Sequence, residues 1–400
     1  MNWPELAILL LPVASLSGYL MGRRGGEKSS GQRVDLLSKQ YFQGLNHLLN
    51  EEQDQAIALF ERIADDDTDR FETQLALGNL FRRRGELERA IRLHQDLSVR
   101  AMLTTEQRAV ALLELGDDFV RAGLLDRAEA LFDELLAIDA QSAPALKQLI
   151  GIYEQEREWD KAARAASEYE RLTFEPMGKL ISHFRCEAAL AAISAPQAEP
   201  GELDKSNFAN VDARRAFDAS LALAKLADPD SVRVALMQAE RAIELNDVQT
   251  AQAALRHVVE SDVLFIPETL PIVAKLRVLS SAAADELLQQ FSLIERGSNA
   301  LLARAETLPE LEAATLLQER LKLKPSARVL ARWLKMRPCP NNQSGAQDIG
   351  DFSFMFDSLT QAAGSVLSNR CSQCGFGMVQ QHWQCPSCRG WGTIKPLVAI

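Results

Sequence analysis

GNLFRRRGELERAIRLH at residues 78–94 and GDDFVRAGLLDRAEALF at residues 116–132 are two versions of one pattern. Glycine opens each, an alanine follows twelve residues on (Ala90, Ala128), and a large ring closes it (His94, Phe132). Upstream, Gly44, Ala56 and Phe60 hold the same places, 34 residues before Gly78, Ala90 and His94. The step to Gly116, Ala128 and Phe132 is 38, with the additional residues assigned to the Leu103–Gln107 connection. Ile150, Tyr153, Ala162 and Ala166 restore the 34-residue step, isoleucine standing where the glycines stood. Further on, Ala239, Ala251, Leu255 and Val258 keep the same internal spacings.

Small residues at matched places in two successive helices let antiparallel helices approach closely, and the large residue fills the gap to the next pair. The pattern resembles the tetratricopeptide repeat, a helix–turn–helix unit. Gly85, Gly123 and Asn246 fall at the intervening turns, where positive φ is easiest. The resemblance is strong over 37–170 and weaker over 171–335. Residues 37–335 are expected to form one tetratricopeptide-repeat array of about eight or nine units at ~34 residues each. The run SAPQAEPGELDKSN at 194–207 predicts a loop, and Pro267 and Pro271 predict a junction between units. The expected fold class is all-α: a repeat superhelix with a concave groove that binds protein segments, carrying a small C-terminal β-ribbon. Within such an array any single Leu, Phe or Ala is first a packing residue. The same reading applies to His94 in its core-facing slot, to Trp159, and to Cys186 as a small buried hydrophobe.

The composition agrees. The 400 residues hold 47% apolar and 25% charged residues, an ordinary globular balance. Lys+Arg number 44 against 55 Asp+Glu, for a net charge of −11. An acidic chain without a basic, aromatic-interleaved stripe is not a nucleic-acid binder, because phosphate contacts need Lys and Arg. Six cysteines in such a length exclude a disulfide scaffold.

At the N-terminus, WPELAILLLPVASLSGYLM (Trp3–Met21) is a mainly apolar stretch, with Glu5 near its outer end, of the ~20-residue length that spans a bilayer. No Lys or Arg precedes it, which argues against a cleaved leader, and Arg23, Arg24, Lys28 and Arg33 follow it. The positive-inside rule then places the bulk of the chain in the cytoplasm. Residues 1–22 are read as a single-pass anchor and 23–36 as a juxtamembrane tether.

The most specific signal is at the C-terminus. Cys371-Ser-Gln-Cys374-Gly375 is followed by Cys385-Pro-Ser-Cys388. Two C-x-x-C pairs suit a tetrahedral tetrathiolate site built from two knuckles whose backbone N–H groups point at the sulfurs. A single redox C-x-x-C on a βα unit would look different. Four thiolates complete the shell, so His382 is not expected among the ligands, and a closed site leaves no open position for catalysis. Trp383 and Trp391 are expected to cover the ribbon. The first knuckle resembles rubredoxin, whereas Arg389 stands where a rubredoxin carries glycine; iron and zinc both accept four thiolates. Cys339 has no partner at metal spacing. Residues 336–350 read as a polar linker, and 351–400 as a docking helix (Phe352, Met355, Phe356, Leu359 at helical spacing) followed by the ribbon, seated against the last repeats; a partner-binding helix is the alternative.

The tail NRCSQCGFGMVQQHWQCPSCRGWGTIKP resembles that of the lipopolysaccharide assembly protein B family of Gram-negative bacteria. Cys371, Cys374, Gly375, Phe376, Trp383, Cys385, Pro386, Ser387, Cys388, Trp391, Thr393 and Ile394 carry the match. The order of membrane helix, repeat array and metal ribbon extends it over essentially the whole chain. The resemblance implies a regulator rather than an enzyme, acting at the cytoplasmic face of the cell inner membrane. It implies delivery of the lipid A pathway deacetylase to a membrane-anchored AAA+ protease. Contact with an inner-membrane antagonist that senses lipopolysaccharide would run through the membrane segment. A non-proteolytic scaffold for other lipopolysaccharide assembly proteins uses the same architecture, and an electron-transfer protein with rubredoxin-type iron is a third reading. No G-x-S-x-G, H-E-x-x-H or phosphate-binding glycine loop supports a hydrolase.

Overall fold

The glycine–alanine–ring pattern becomes a set of interhelical contacts. In the computed structural model, which describes residues 43–44, 46–47, 52–66, 71–194, 205–295, 297–336 and 368–397, it pairs neighbouring helices. A Cβ built on Gly78 would lie 2.3 Å from Nε2 of His94, and one on Gly116 would lie 2.5 Å from Cε1 of Phe132. Ala56, Ala90 and Ala128 are wholly buried. The period in sequence is thus a period of close helix–helix approach. Gly116→Ala, one methyl forced against a buried ring, is expected to destabilise the chain by about 1–3 kcal/mol in denaturant titration. An unchanged midpoint would contradict this packing.

The described chain divides into two compact units, with the boundary after Ile152. The first contains helices Gln53–Asp66, Phe71–Arg84, Leu87–Ser98, Thr105–Arg121 and Leu125–Ile138, and the first part of Ala143–Glu156. Gly85 (φ 86°) and Gly123 (φ 74°) turn the chain between paired helices. The predicted long connection is displaced: it runs from Val99 to Thr104, and Gln107 already lies in the following helix. The reason is a capping box, in which Thr104 Oγ1 accepts from the Gln107 N–H and Gln107 returns a bond to the Thr104 N–H. His94 is a packing residue with a polar partner. Its Nδ1 lies 2.6 Å from Oδ2 of Asp118, both side chains fully buried, and Arg82 donates to Oδ1 of Asp118 at 3.1 Å.

The second unit continues with helices Trp159–Thr173, Gly178–Ser194, Lys205–Ala227, Val232–Glu244, Val248–Ser261, Ile266–Leu279, Ser281–Ile294, Asn299–Thr307, Glu310–Leu323 and Ala327–Lys335. Ala239, Ala251, Leu255 and Val258 lie fully buried in its largest apolar cluster. Asn246 takes the left-handed turn position at φ 57°. Cys186 is wholly buried, and desolvation pushes its thiol up to about 11. Two expectations change here. The loop predicted through Asn207 ends earlier, since the next helix begins at Lys205, and residues 195–204 lie outside the described residues. Pro271 sits inside helix Ile266–Leu279 rather than at a junction. The backbone bond it lacks would have gone to Pro267, at the first turn, where chain ends are least dependent on such bonds.

Three short antiparallel strands, β1 (Asn369–Cys371), β2 (Gly377–Met378) and β3 (Ile394–Pro396), form a sheet of order β2-β1-β3. Arg370 pairs with Gly377 on one side and Lys395 on the other. The expected anchor 1–22, the tether 23–36, Cys339 and the helix containing Phe352 and Leu359 lie outside the described residues. Among the described residues no helix is long and apolar enough to cross a membrane.

Candidate metal centre

Both C-x-x-C segments close by the same hydrogen-bond pattern. The Gly375 N–H donates to the Cys371 carbonyl at 3.0 Å and the Cys371 N–H to Phe376 at 2.9 Å. In the second knuckle Arg389 donates to Cys385 at 2.8 Å and Cys385 to Gly390 at 2.9 Å. The residue after each pair takes left-handed backbone: Gly375 at φ 77° and Arg389 at φ 58°. Arg389, the departure from the rubredoxin pattern, therefore keeps the geometry and accepts the strain of a side chain there. The Ser372 N–H and hydroxyl both donate to the Thr393 carbonyl, at 2.7 and 2.9 Å, and join the first knuckle to the segment after the second.

These turns bring four sulfurs together. Sγ of Cys371 lies 3.7 Å from that of Cys388, and Sγ of Cys374 lies 3.7 Å from that of Cys385. All four ligand atoms fall within 4.8 Å of one another. A tetrahedron with metal–sulfur bonds of about 2.3 Å has edges of about 3.8 Å, so the set fits one tetrahedral ion. The Thr393 hydroxyl, 3.3 Å from Cys371 Sγ, leads the backbone N–H groups of Cys374 and Gln373 in drawing that thiol down to about 6. For Cys388 the Gly390 N–H works downward, but desolvation and the three neighbouring sulfurs prevail and push it up to about 12. Thiolates this close repel one another, so joint ionisation calls for a cation at their centre. Zinc or iron would be held by Cys371, Cys374, Cys385 and Cys388, as a structural cross-link with no free coordination position.

The tryptophans flanking the second knuckle do not fold back over the ribbon. They turn outward onto helices of the same unit, which corrects the expectation that they cover it. Trp391 Nε1 donates to Oε1 of Glu154 at 3.0 Å, and Gln384 Nε2 donates to the same oxygen at 2.5 Å. The Trp391 ring stacks on His183 at 5.4 Å and meets Phe184 and Trp159 edge-on at 5.9 and 6.2 Å. Trp383 stacks on Phe265 at 5.7 Å with only 7° between the planes. Lys395 closes the far side with a 2.7 Å ion pair to Asp262. Arg233, 3% exposed, packs against both tryptophan faces at 5.7 and 6.0 Å while pairing with Glu187 at 2.7 Å. Burial first, then the charge of Arg233, pushes His183 down to about 3, so its ring stacks as a neutral imidazole. Glu154, His183, Phe184, Arg233, Asp262 and Phe265 thus receive the ribbon. The seat is on these helices, whereas the last repeats were expected.

None of these receiving residues stood out in the sequence. His183 in the Ile-Ser-His-Phe stretch 181–184 carried no signal of its own, and the Trp391 ring it stacks on lies 208 positions away. Glu154→Gln keeps the shape but removes the charge that accepts two bonds. It is expected to weaken ribbon docking by about 1–3 kcal/mol, read as faster amide exchange in residues 381–392. Unchanged exchange there would remove Glu154 from the interface.

Residues 370–396 match the model of a rubredoxin metal binding domain. The whole chain is similar to lipopolysaccharide assembly protein B of Escherichia coli (strain K12), at 33% identity over 399 residues and 98% of each chain. It is similar also to the protein of that name from Haemophilus influenzae, at 29% over 407 residues and again 98% of each. Among solved structures, a MamA protein aligns at 19% identity and TM-score 0.32, covering 47% of this chain and 91% of that one. A tetratricopeptide repeat protein from Parabacteroides merdae aligns at 11% and TM-score 0.31, covering 75% and 98%. With a relative one-third identical along nearly its full length, and a ribbon carrying all four cysteines, the chain belongs to the lipopolysaccharide assembly protein B family.

Proposed function

We propose that the chain is a non-catalytic regulator of lipopolysaccharide biosynthesis, tethered by residues 1–22 to the cell inner membrane with its bulk in the cytoplasm. The helical pairs across 37–335 bind protein, and Cys371, Cys374, Cys385 and Cys388 hold one zinc or iron ion. In this reading it is an adaptor that presents the lipid A pathway deacetylase to a membrane-anchored AAA+ protease and so lowers deacetylase levels. An inner-membrane antagonist that senses lipopolysaccharide acts on the membrane segment.

The observation that supports this reading most is the end-to-end similarity to proteins named for lipopolysaccharide assembly. Tethering helps physically: confining adaptor and protease to one surface raises their effective concentration, so a weak contact suffices. The test is the lifetime of the deacetylase after translation is blocked, with and without this chain. Several-fold lengthening on depletion, reversed by the intact chain, is the expected result. An unchanged lifetime beside altered lipopolysaccharide would replace the adaptor with a non-proteolytic scaffold.

A further inference from the structure

Thr393 belongs to neither cysteine pair, yet it touches both knuckles. Its carbonyl accepts the Ser372 N–H and hydroxyl at 2.7 and 2.9 Å. Its hydroxyl oxygen lies 3.3 Å from Cys371 Sγ and 3.1 Å from the carbonyl oxygen of Gly390. A hydroxyl carries one proton, so it serves one of these acceptors at a time. The Gly390 carbonyl is neutral and already accepts the Cys385 N–H at 2.9 Å. A sulfur that holds an ion is a thiolate, and a hydrogen bond to a charged acceptor is about twice as strong as one between neutral groups. With the site loaded, the hydroxyl therefore donates to Cys371 Sγ.

The residues around Thr393 are fixed from outside the ribbon. Before it, Trp391 donates to Glu154 at 3.0 Å and stacks on His183. After it, Lys395 pairs with Asp262 at 2.7 Å. In between, the Gly392 N–H donates to the Trp383 carbonyl at 2.7 Å, and Ile394 pairs with Cys371 across the sheet. The stretch 391–395 is thus held by the helices at both ends and offers one hydroxyl to the metal centre from its middle.

We infer that Thr393 is a positioning residue for the metal centre: it steadies the Cys371 thiolate, and seating of the ribbon on the helices steadies Thr393. The inference rests on the four-cysteine metal reading and is independent of the adaptor reading. Four thiolates around one divalent ion leave an excess of negative charge, and a donor from outside the ligand set offsets part of it. By linkage, seating then slows metal loss just as metal supports seating.

The test loads the full chain, in detergent micelles, with cobalt(II) and follows its loss to a chelator through the sulfur-to-cobalt absorption bands. Thr393→Val keeps the shape and removes the hydroxyl. It is expected to lose cobalt about 10–100-fold faster and to shift the bands to longer wavelength, because a thiolate without its donor gives up electron density more easily. Thr393→Ser should restore both, and tryptophan emission of the loaded valine variant should stay native. Glu154→Gln touches no ligand. It is expected to speed loss at least about fivefold in the otherwise intact chain and to add little in Thr393→Val. Native loss and bands in Thr393→Val, equal defects in the valine and serine variants, or a Glu154→Gln effect that simply adds to that of Thr393→Val overturns the inference while leaving the metal reading in place. An intact chain that takes up no cobalt overturns the metal reading and this inference with it.

Discussion

Cys385→Ser will empty the metal site and release the ribbon from its seat while leaving the helices folded. Cys385 is wholly buried, and its sulfur stands 3.7 Å from that of Cys374. The buried core of the ribbon consists of Cys371, Met378, Cys385 and Ile394, with Cys388 packed against it. Most of that core is ligand, so apolar burial alone cannot hold these strands. A structural zinc supplies about 10–16 kcal/mol to such a fold, and a serine hydroxyl is a poor substitute for a thiolate at neutral pH. The docking residues are continuous with the second knuckle: Trp383 and Gln384 precede Cys385, and Trp391 follows Cys388. Loss of the knuckle therefore unseats both rings, each stacked pair being worth about 0.5–1.5 kcal/mol beyond burial. Expected readouts are metal content falling from one ion per chain toward none, a red shift in tryptophan emission, and unchanged helical circular dichroism. Chelation or acidification should reproduce these changes, since protons compete for thiolates. A variant that keeps one ion and native emission would show that the four sulfurs do not act as a set.

His94→Phe is the second large effect, and it runs against sequence intuition, because Phe60 and Phe132 occupy the matching slots. His94 and Asp118 are fully buried and 2.6 Å apart, so phenylalanine removes the nearest partner of a carboxylate that water cannot reach. Breaking a buried pair from one side costs about 3–5 kcal/mol. Arg82, 3.1 Å from the other oxygen, offsets part of this, and a loss of about 2–4 kcal/mol is expected in denaturant unfolding. Asp118→Leu in the same chain should recover most of the loss, since Leu80 and Ile152 hold the matching register in neighbouring repeats. The cycle should therefore show coupling of at least about 1.5 kcal/mol. Additive effects would mean the pair is not the unit that packs here.

Gly78, Ala90 and their counterparts were legible because the close approach they permit is local, repeating between helices adjacent in sequence. Cys371, Cys374, Cys385 and Cys388 were legible for a related reason: ligand spacing within a short segment is itself the geometry. Helix Thr105–Arg121 begins inside the expected Leu103–Gln107 connection, because the capping box at Thr104 fixes its start where counting from the repeat does not. Asp118 gave no sign of its burial, since an acidic residue on a helix ordinarily faces water. Trp383 and Trp391 offered large rings without a direction, so the expectation that they cover the ribbon had no way to register the helices they stack on.

The amino-acid sequence by itself determined the helical pairs, the turn at Asn246 and the pairing of the two cysteine knuckles, all set by neighbours within about one repeat. Only the tertiary structure decided that Glu154, His183, Arg233 and Phe265 receive the ribbon, and that Asp118 is buried against His94. Such features join side chains that lie in different elements, many of them far apart along the chain. Burial and charge at those places are properties of the assembled surface, and no periodicity in the sequence encodes them.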